Sequence, residues 1–288
     1  MASRAATAPR PPSKASRAPQ PAYVLHRHDW SESSLVLELF TRDQGRIAVV
    51  AKGAKRPYSQ LRGVLLPFQR LLVLTGTPAR TKASEATAPE VQTLRSAEWA
   101  GGAAMPGSSA LLTAFYLNEL IIKGLARGDP HATLFDAYAE TLGAVSDADD
   151  AGVQAALRAF ELLLLRELGV LPQLDVVTLT QLPVQPGARY LLRAEAGLLP
   201  ALPERPADTG TQAQDALPSA TLAALQAALD ANDLAGLRQA TRPALTALRI
   251  QLRGLLHHLF GTDRLRTRQV MLEAQRLTAA VTPSVHPS

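Results

Sequence analysis

The chain has 288 residues, 47% hydrophobic and 19% charged, enough for one large or two modest cores and too apolar for a disordered chain. It has no cysteine, which excludes a disulfide framework, a thiol nucleophile and any cysteine-ligated zinc. The formal net charge of +5 hides an asymmetry: residues 1–82 carry 14 Lys/Arg against 4 Asp/Glu, residues 83–237 carry 8 against 19, and residues 238–288 carry 8 against 2. Two basic ends flank an acidic middle, and a local field of this kind attracts polyanions whatever the total.

Residues 1–20 are Pro, Ala and basic residues without an acid or an apolar rhythm, and read as a disordered basic tail. Four prolines between Pro9 and Pro19 argue against the amphipathic helix of a transit peptide, and no apolar segment follows the start methionine. The longest apolar run, "ELLLLRELGVL", is broken by Arg166 and Glu167 and falls well short of the roughly 20 residues of a membrane span. A cytoplasmic protein is expected.

Strand signals begin at "AYVLHRHDW". "SLVLELF" alternates Leu35, Leu37 and Leu39 with Val36, Glu38 and Phe40, the period of a strand. "TRDQGR" supplies a turn and "RIAVVAK" a second β-branched run, so residues 34–52 read as a hairpin. "PFQRLLVLTG" and "EVQTLRSAEW" add further strands. Five short strands over residues 21–98, broken by Gly/Pro turns and carrying this charge, predict an OB-fold β-barrel with Phe40 and Phe68 in its core. The predicted fold class is α+β, the barrel being followed by an all-α helical domain over residues 99–276.

The helical rhythm starts after Gly107. Leu117, Leu120, Ile121 and Leu125 share one face; "DPHATLFDAYAETLGAV" predicts a second helix with Asp129 as N-cap and Pro130 in its first turn. "DDAGVQAALRAFELLLLRELG" predicts a third, with Val153, Leu157, Phe160 and Leu164 on its stripe and Gly169 ending it. Residues 170–217 are Pro-rich and read as an irregular insertion, with "PERPADTGTQAQDALP" a flexible loop. Two helices follow, near "SATLAALQAALD" and "PALTALRIQLRGLLHHLF", the latter with Leu245, Leu248, Leu252, Leu255 and Leu259 on one seam. Residues 277–288 read as a flexible tail.

The candidate binding residues lie in "VAKGAKRPYSQLRG", residues 50–63, inside an acid-free window from Gln44 to Ser84. Lys52, Lys55, Arg56 and Arg62 are its cations; Arg46 stands nearby, as do Arg42, Arg70, Arg80 and Lys82. Gly53 and Gly63 would let backbone amides approach phosphates closely. Trp30 and Tyr58, in loop-like contexts, are the candidates for stacking on bases. Cations in excess of rings imply a grip on the nucleic-acid backbone that leaves base edges open. A second basic region places Arg242, Arg249, Arg253 and His257 on one helical face, and Arg264, Arg266 and Arg268 follow in "DRLRTRQ". It reads as a further contact for nucleic acid or for an acidic partner.

Catalytic readings find less support. The histidines of "HRH", His26 and His28, lack a third ligand and read as surface residues. "DADD", residues 147–150, suggests either a metal-dependent nuclease centre or acids that cap the third helix, and the second explains its position better. "AGGAAMPGSS" lacks the ending of a phosphate loop. No catalytic residue, metal or cofactor is expected; an RNA-binding OB protein is the other alternative.

The segments "YVLHRHDWSESSLVLELFTRDQGRIAVVAKGAK" and "SQLRGVLLPF" resemble the amino-terminal domain of the RecO family, bacterial DNA repair and recombination mediators. "YLNELIIKGL" and "LRAFELLLLRELGV" are similar to that family's first bundle helices, and "LRTRQVM" to its closing basic segment. The resemblance runs in order over about residues 21–275. It implies a non-enzymatic protein, cytoplasmic and at the nucleoid, that binds single- and double-stranded DNA, anneals complementary strands and helps exchange single-strand binding protein for recombinase. It implies RecR and the acidic carboxy-terminal tail of single-strand binding protein as partners. By the matching motif Lys52, Lys55, Arg56 and Arg62 would contact DNA. The tail would dock on the helical domain, with Arg158 in "LRAFE" pairing with its terminal carboxylate; an i,i+3 pair between Arg158 and Glu161 is the other reading of that arginine. Some members carry a four-cysteine zinc module after the third helix, which this chain lacks. Leu66 stands where the family often has a polar residue, and the loop Gly76–Glu90 is long.

Overall fold

The computed structural model describes residues 18–76, 91–147, 149–201 and 215–261, together with 265–267, 269, 270 and 273. Five strands, β1 (Gln20–Asp29), β2 (Leu35–Thr41), β3 (Gly45–Ala51), β4 (Arg70–Gly76) and β5 (Gln92–Trp99), close into a barrel in the order β1-β2-β3-β5-β4. Only the β3–β5 pairing is parallel. A short helix, α1 (Leu61–Val64), lies between β3 and β4. The expected hairpin is present, with Leu35 opposite Ala51 and Thr41 opposite Gly45.

The alternation along β2 decides what each face meets. Leu37 and Leu39 point inward and join Ala22, Val24, Ile47, Val49, Leu71 and Val73 in the barrel core. Glu38 and Phe40, on the opposite face, are also buried, because helices cover that face. Phe40 and Phe68 therefore do not sit in the barrel core as the sequence suggested. Phe40 stacks on Phe135 at 5.3 Å, and Phe68 meets Phe115 edge-on at 4.9 Å. Phe68 holds a left-handed backbone with φ of 65°, which costs about 1–2 kcal/mol and is sustained by this packing.

The helical part comprises α2 (Ser108–Gly124), α3 (Ala132–Asp147), α4 (Asp150–Glu167), α5 (Ser219–Asp230), α6 (Leu234–Thr241) and α7 (Leu245–Phe260). Leu117, Leu120, Ile121 and Leu125 are all buried, as the period of α2 predicts. Helix α3 starts at Ala132, later than expected, so His131 rather than Asp129 directly precedes it, and the Asp129 carboxylate lies 3.4 Å from His131 Nε2. Asp149 caps α4, accepting from the Gly152 amide at 2.8 Å. At its other end Gly169, at φ of 68°, donates to the Arg166 carbonyl while Val170 donates to Leu165, the paired bonds of a Schellman motif. From Ala155 to Leu165 every residue of α4 is buried, so this helix is the axis of the domain and has no polar side.

The stretch 170–217 is not irregular throughout. It forms a three-stranded sheet, β6 (Arg189–Arg193), β7 (Gly197–Pro200) and β8 (Leu217–Pro218), in the order β7-β6-β8. Gln251 of α7, 1% exposed, accepts from the Leu192 amide at 2.6 Å and donates to the Asp215 carbonyl, stitching the sheet to the helices. Residues 202–214, most of the expected flexible loop, lie outside the described residues, as do the tails 1–17 and 274–288. Helix α6 was not expected; its signal was Asp233, whose carboxylate accepts from the Gly236 amide at 2.9 Å.

Barrel and helices share a continuous seam. Tyr23 meets Phe135 at 5.4 Å and Tyr138 at 5.0 Å between ring centroids. Asn118 of α2 donates to the Leu25 carbonyl at 3.0 Å and accepts from the Tyr138 hydroxyl at 2.5 Å. Burial, reinforced by Tyr23, pushes the Tyr138 phenol well up, so it stays a donor. At the β2–β3 turn, Gly45 has φ of 64°, and a Cβ built there would lie 1.7 Å from the Asp129 carbonyl oxygen. Gly63 has nothing within 4 Å of such a Cβ. Gly45→Ala is expected to lower unfolding stability by at least about 2 kcal/mol, from left-handed strain and the forced opening of the seam, whereas Gly63→Ala is expected to leave it within about 1 kcal/mol. Denaturant midpoints of the two variants check this.

Candidate nucleic-acid interface

Between β3 and β4 the chain makes consecutive tight turns, with Arg56 donating to the Gly53 carbonyl at 3.1 Å, Ser59 to Arg56 at 3.0 Å and Arg62 to Ser59 at 3.2 Å. The β1–β2 loop lies beside it. The Lys55 amide donates to the Ser33 carbonyl at 3.0 Å, and the Gly53 amide to Ser34 Oγ at 3.4 Å. The Gly53 amide is thus occupied within the protein.

This pairing of loops brings Trp30 next to the basic stretch. Trp30 is 69% exposed and Tyr58 99% exposed, and both stand clear of any core. Lys52, Arg56 and Arg62 are exposed, with no side-chain partner among the described residues. Lys55 is different: its ammonium bonds the Ser31 carbonyl at 3.2 Å and pairs with Asp29 at 3.3 Å, so it braces the two loops. Arg27 ties β1 to the end of α1 through the Leu65 carbonyl at 3.2 Å.

Arg46 does not belong to this group. It starts β3 and Lys52 follows the strand's end, so the two lie about 20 Å apart along the barrel. Arg46 faces the helices, where it pairs with Glu38 at 3.6 Å. Arg127, from the loop before α3, donates Nε to the same carboxylate at 3.3 Å and Nη2 to its other oxygen. Burial pulls the Arg46 guanidinium down from its ordinary value, opposed by Glu38. Arg42 likewise faces α3, holding Asp136 through Nε and Nη2 at 3.1 and 2.9 Å. These cations build the seam, and position in sequence alone could not separate them from those at the loop.

Arg158 is a second correction. The sequence reads Arg158 as open to a terminal carboxylate or as paired with Glu161; α4 is enclosed, and Arg158 is 6% exposed. Its Nη2 pairs with Glu161 at 3.0 Å, and Glu161 also accepts from the Tyr116 hydroxyl at 2.6 Å. Within this arrangement the i,i+3 pair holds the guanidinium.

On α7, Arg249 and Arg253 are exposed opposite the buried Leu248, Leu252, Leu255 and Leu256, and Arg242 and His257 are exposed with them. Arg264 and Arg268 lie outside the described residues; Arg266 is exposed. Glu119 of α2 accepts from the Arg266 amide at 2.7 Å and from the amide and hydroxyl of Thr267. Burial alone would raise the Glu119 carboxyl, but Thr267, the Arg266 amide and Lys123 outweigh it and hold it below its ordinary value.

Trp99 escaped the sequence reading. It ends β5 and is 66% exposed, a ring placed where the barrel gives way to the "AGG" linker. His26 and His28 stack edge-on at 4.3 Å, and burial together with the neighbouring His28 pulls His26 down from its ordinary value. No group of three or more His, Asp or Glu that could hold a metal ion occurs among the described residues, and Asp149 of the acidic cluster is engaged as a cap. Among those residues no helix is long and apolar enough to cross a membrane.

Two family models match the chain, Recombination protein O N terminal over residues 17–85 and Recombination protein O C terminal over residues 108–269. The chain belongs to the RecO family. Proteins named DNA repair protein RecO are its relatives: that of Polaromonas sp. (strain JS666) is 48% identical over 259 residues, covering 90% of this chain and 97% of its own. That of Variovorax paradoxus (strain S110) is 51% identical over 268 residues, covering 90% and 96%. The first RecO match spans β1–β4 with the basic loop and ends before β5, and the second spans α2–α7.

The depressed Glu119 carboxyl sets a pH dependence. A carboxylate whose folded value lies below its unfolded value stabilises at pH above the ordinary glutamate range, about 4.3, and loses that contribution as pH falls through the folded value. The Thr267 amide resonance is expected to titrate with a midpoint below the ordinary glutamate range in an NMR acid titration.

Proposed function

We propose that this chain is a non-enzymatic DNA repair mediator that grips single- and double-stranded DNA through its phosphates and anneals complementary strands. The observation that carries the reading is the cluster at one barrel end: Lys52, Arg56 and Arg62, without side-chain partners among the described residues, beside the exposed rings of Trp30 and Tyr58. Phosphate neutralisation releases condensed counterions, while two rings at about 1–3 kcal/mol per stacked base suffice to orient a strand and leave most base edges free to pair. Strands held in this way repel each other less and keep their coding faces available. The names of the relatives support a repair role. Arg249 and Arg253 of α7 offer a second cationic face, remote from the loop in sequence. RNA is the other polyanion such a surface fits, and competition between matched RNA and DNA oligonucleotides separates the two.

Replacing Lys52, Arg56 and Arg62 together by Glu is expected to weaken single-strand binding and annealing and to make the salt slope shallower by about 2 log units per decade. Fluorescence anisotropy over a salt series, with an annealing assay alongside, checks it; an unchanged slope defeats the assignment.

We further propose, on the family resemblance, exchange of single-strand binding protein for recombinase, with RecR and the acidic tail of single-strand binding protein as partners. The burial of Arg158 argues that the tail meets exposed cations first, those of α7. Arg249→Glu with Arg253→Glu is expected to reduce capture of a tail peptide at least tenfold with unchanged unfolding, whereas Arg158→Ala is expected to lower stability by removing the ion-pair partner of the buried Glu161. Tail capture undiminished in the α7 double variant would place the tail elsewhere.

A further inference from the structure

The closing basic segment re-enters a helical conformation at Arg266, with Gln269 donating to the Leu265 carbonyl. A helix start leaves its first amides without intrahelical acceptors, and a capping side chain one residue before normally supplies one. Leu265 occupies that position and has no acceptor; its side chain packs against the main core instead. The missing acceptor comes from another helix. Glu119 of α2, distant by about 147 positions, takes the Arg266 amide at 2.7 Å and the Thr267 amide at 3.0 Å, and the Thr267 hydroxyl as well. Lys123, one turn along α2, sits 3.6 Å from the same carboxylate.

What matters is which part of Arg266 is held. The carboxylate takes the backbone amide, not the guanidinium, and the exposed guanidinium has no ion-pair partner among the described residues. Glu119 thereby fixes the segment without neutralising its charge. An ion pair to the side chain would dock the segment equally well and cancel the cation it presents.

We propose that Glu119 is a positioning residue: it caps the closing segment from α2 and so holds Arg266 where it adds a phosphate contact to those of the basic face. This rests on the phosphate-gripping reading above.

The test uses the full chain with Glu119→Ala, Arg266→Ala and the double variant, read by hydrogen exchange and by DNA binding over a salt series. Glu119→Ala is expected to speed exchange at the Arg266 and Thr267 amides at least tenfold while the amides of α2 stay protected. Each single variant is expected to weaken binding of an oligonucleotide by a similar factor and to lower the salt slope by about 0.7–0.9. The double variant is expected to be no worse than Arg266→Ala. Unchanged exchange at those amides overturns the capping. Faster exchange with wild-type DNA affinity, where Arg266→Ala does weaken binding, overturns the positioning. If Arg266→Ala itself leaves affinity and slope intact, the nucleic-acid role of this segment falls and the proposal with it, while the loop at Lys52–Arg62 is tested separately by its own variant.

Discussion

The outer face of β2 is buried, and most of the architecture follows from that burial. A free-standing barrel of this size would leave Glu38 and Phe40 in water. Here helices α2 and α3 cover that face, placing Phe40 against Phe135 and enclosing Glu38 between two guanidiniums. A buried carboxylate is tolerable only when its hydrogen-bonding capacity is met, and Arg46 from the barrel and Arg127 from the helical side meet it jointly. Neither half alone satisfies the site. The barrel and the helical domain are therefore joined by shared chemistry as well as by shared apolar surface.

That seam also divides the barrel's cations into two classes. Arg42 and Arg46, at the turn end, are matched by Asp136 and Glu38. Lys52, Arg56 and Arg62, at the far end, have no acid near enough to match them among the described residues. Lys55 stands between the classes, paired with Asp29 and bonded to Ser31, and holds the Trp30 loop against the basic turns. An aromatic ring and a set of cations without ion-pair partners among the described residues are brought to one edge by loop packing, where Asp29 is paired with Lys55 and Glu32 lies in the β1–β2 loop.

The enclosed helix α4 applies the same logic inside the second domain. Its length of continuous burial forces Arg158 and Glu161 to answer each other, with Tyr116 completing the group. The family's zinc module has no counterpart in ligands here, and the small β7-β6-β8 sheet, fastened by Gln251 to α7, occupies that part of the chain. Hydrogen bonds from one buried amide do the anchoring.

The sequence alone determined the barrel and the helical domain, because strand alternation and helical period are local properties that each segment carries without its neighbours. It determined the Asp149 cap and the Gly169 stop for the same reason, each being set by a few adjacent residues. It also singled out the loop 50–63, since an absence of acids is legible without coordinates. The tertiary structure decided what those cations face. Arg46 and Lys52 look alike in sequence, but strand direction sends one into the seam and the other to solvent. Arg158 flanks a stripe that reads as amphipathic, and only the burial of α4 along its whole middle reveals that it is enclosed. Contacts between residues far apart in the chain, such as Gly45 against Asp129 or Glu119 beneath Arg266, have no local signature, because they arise from how finished elements meet.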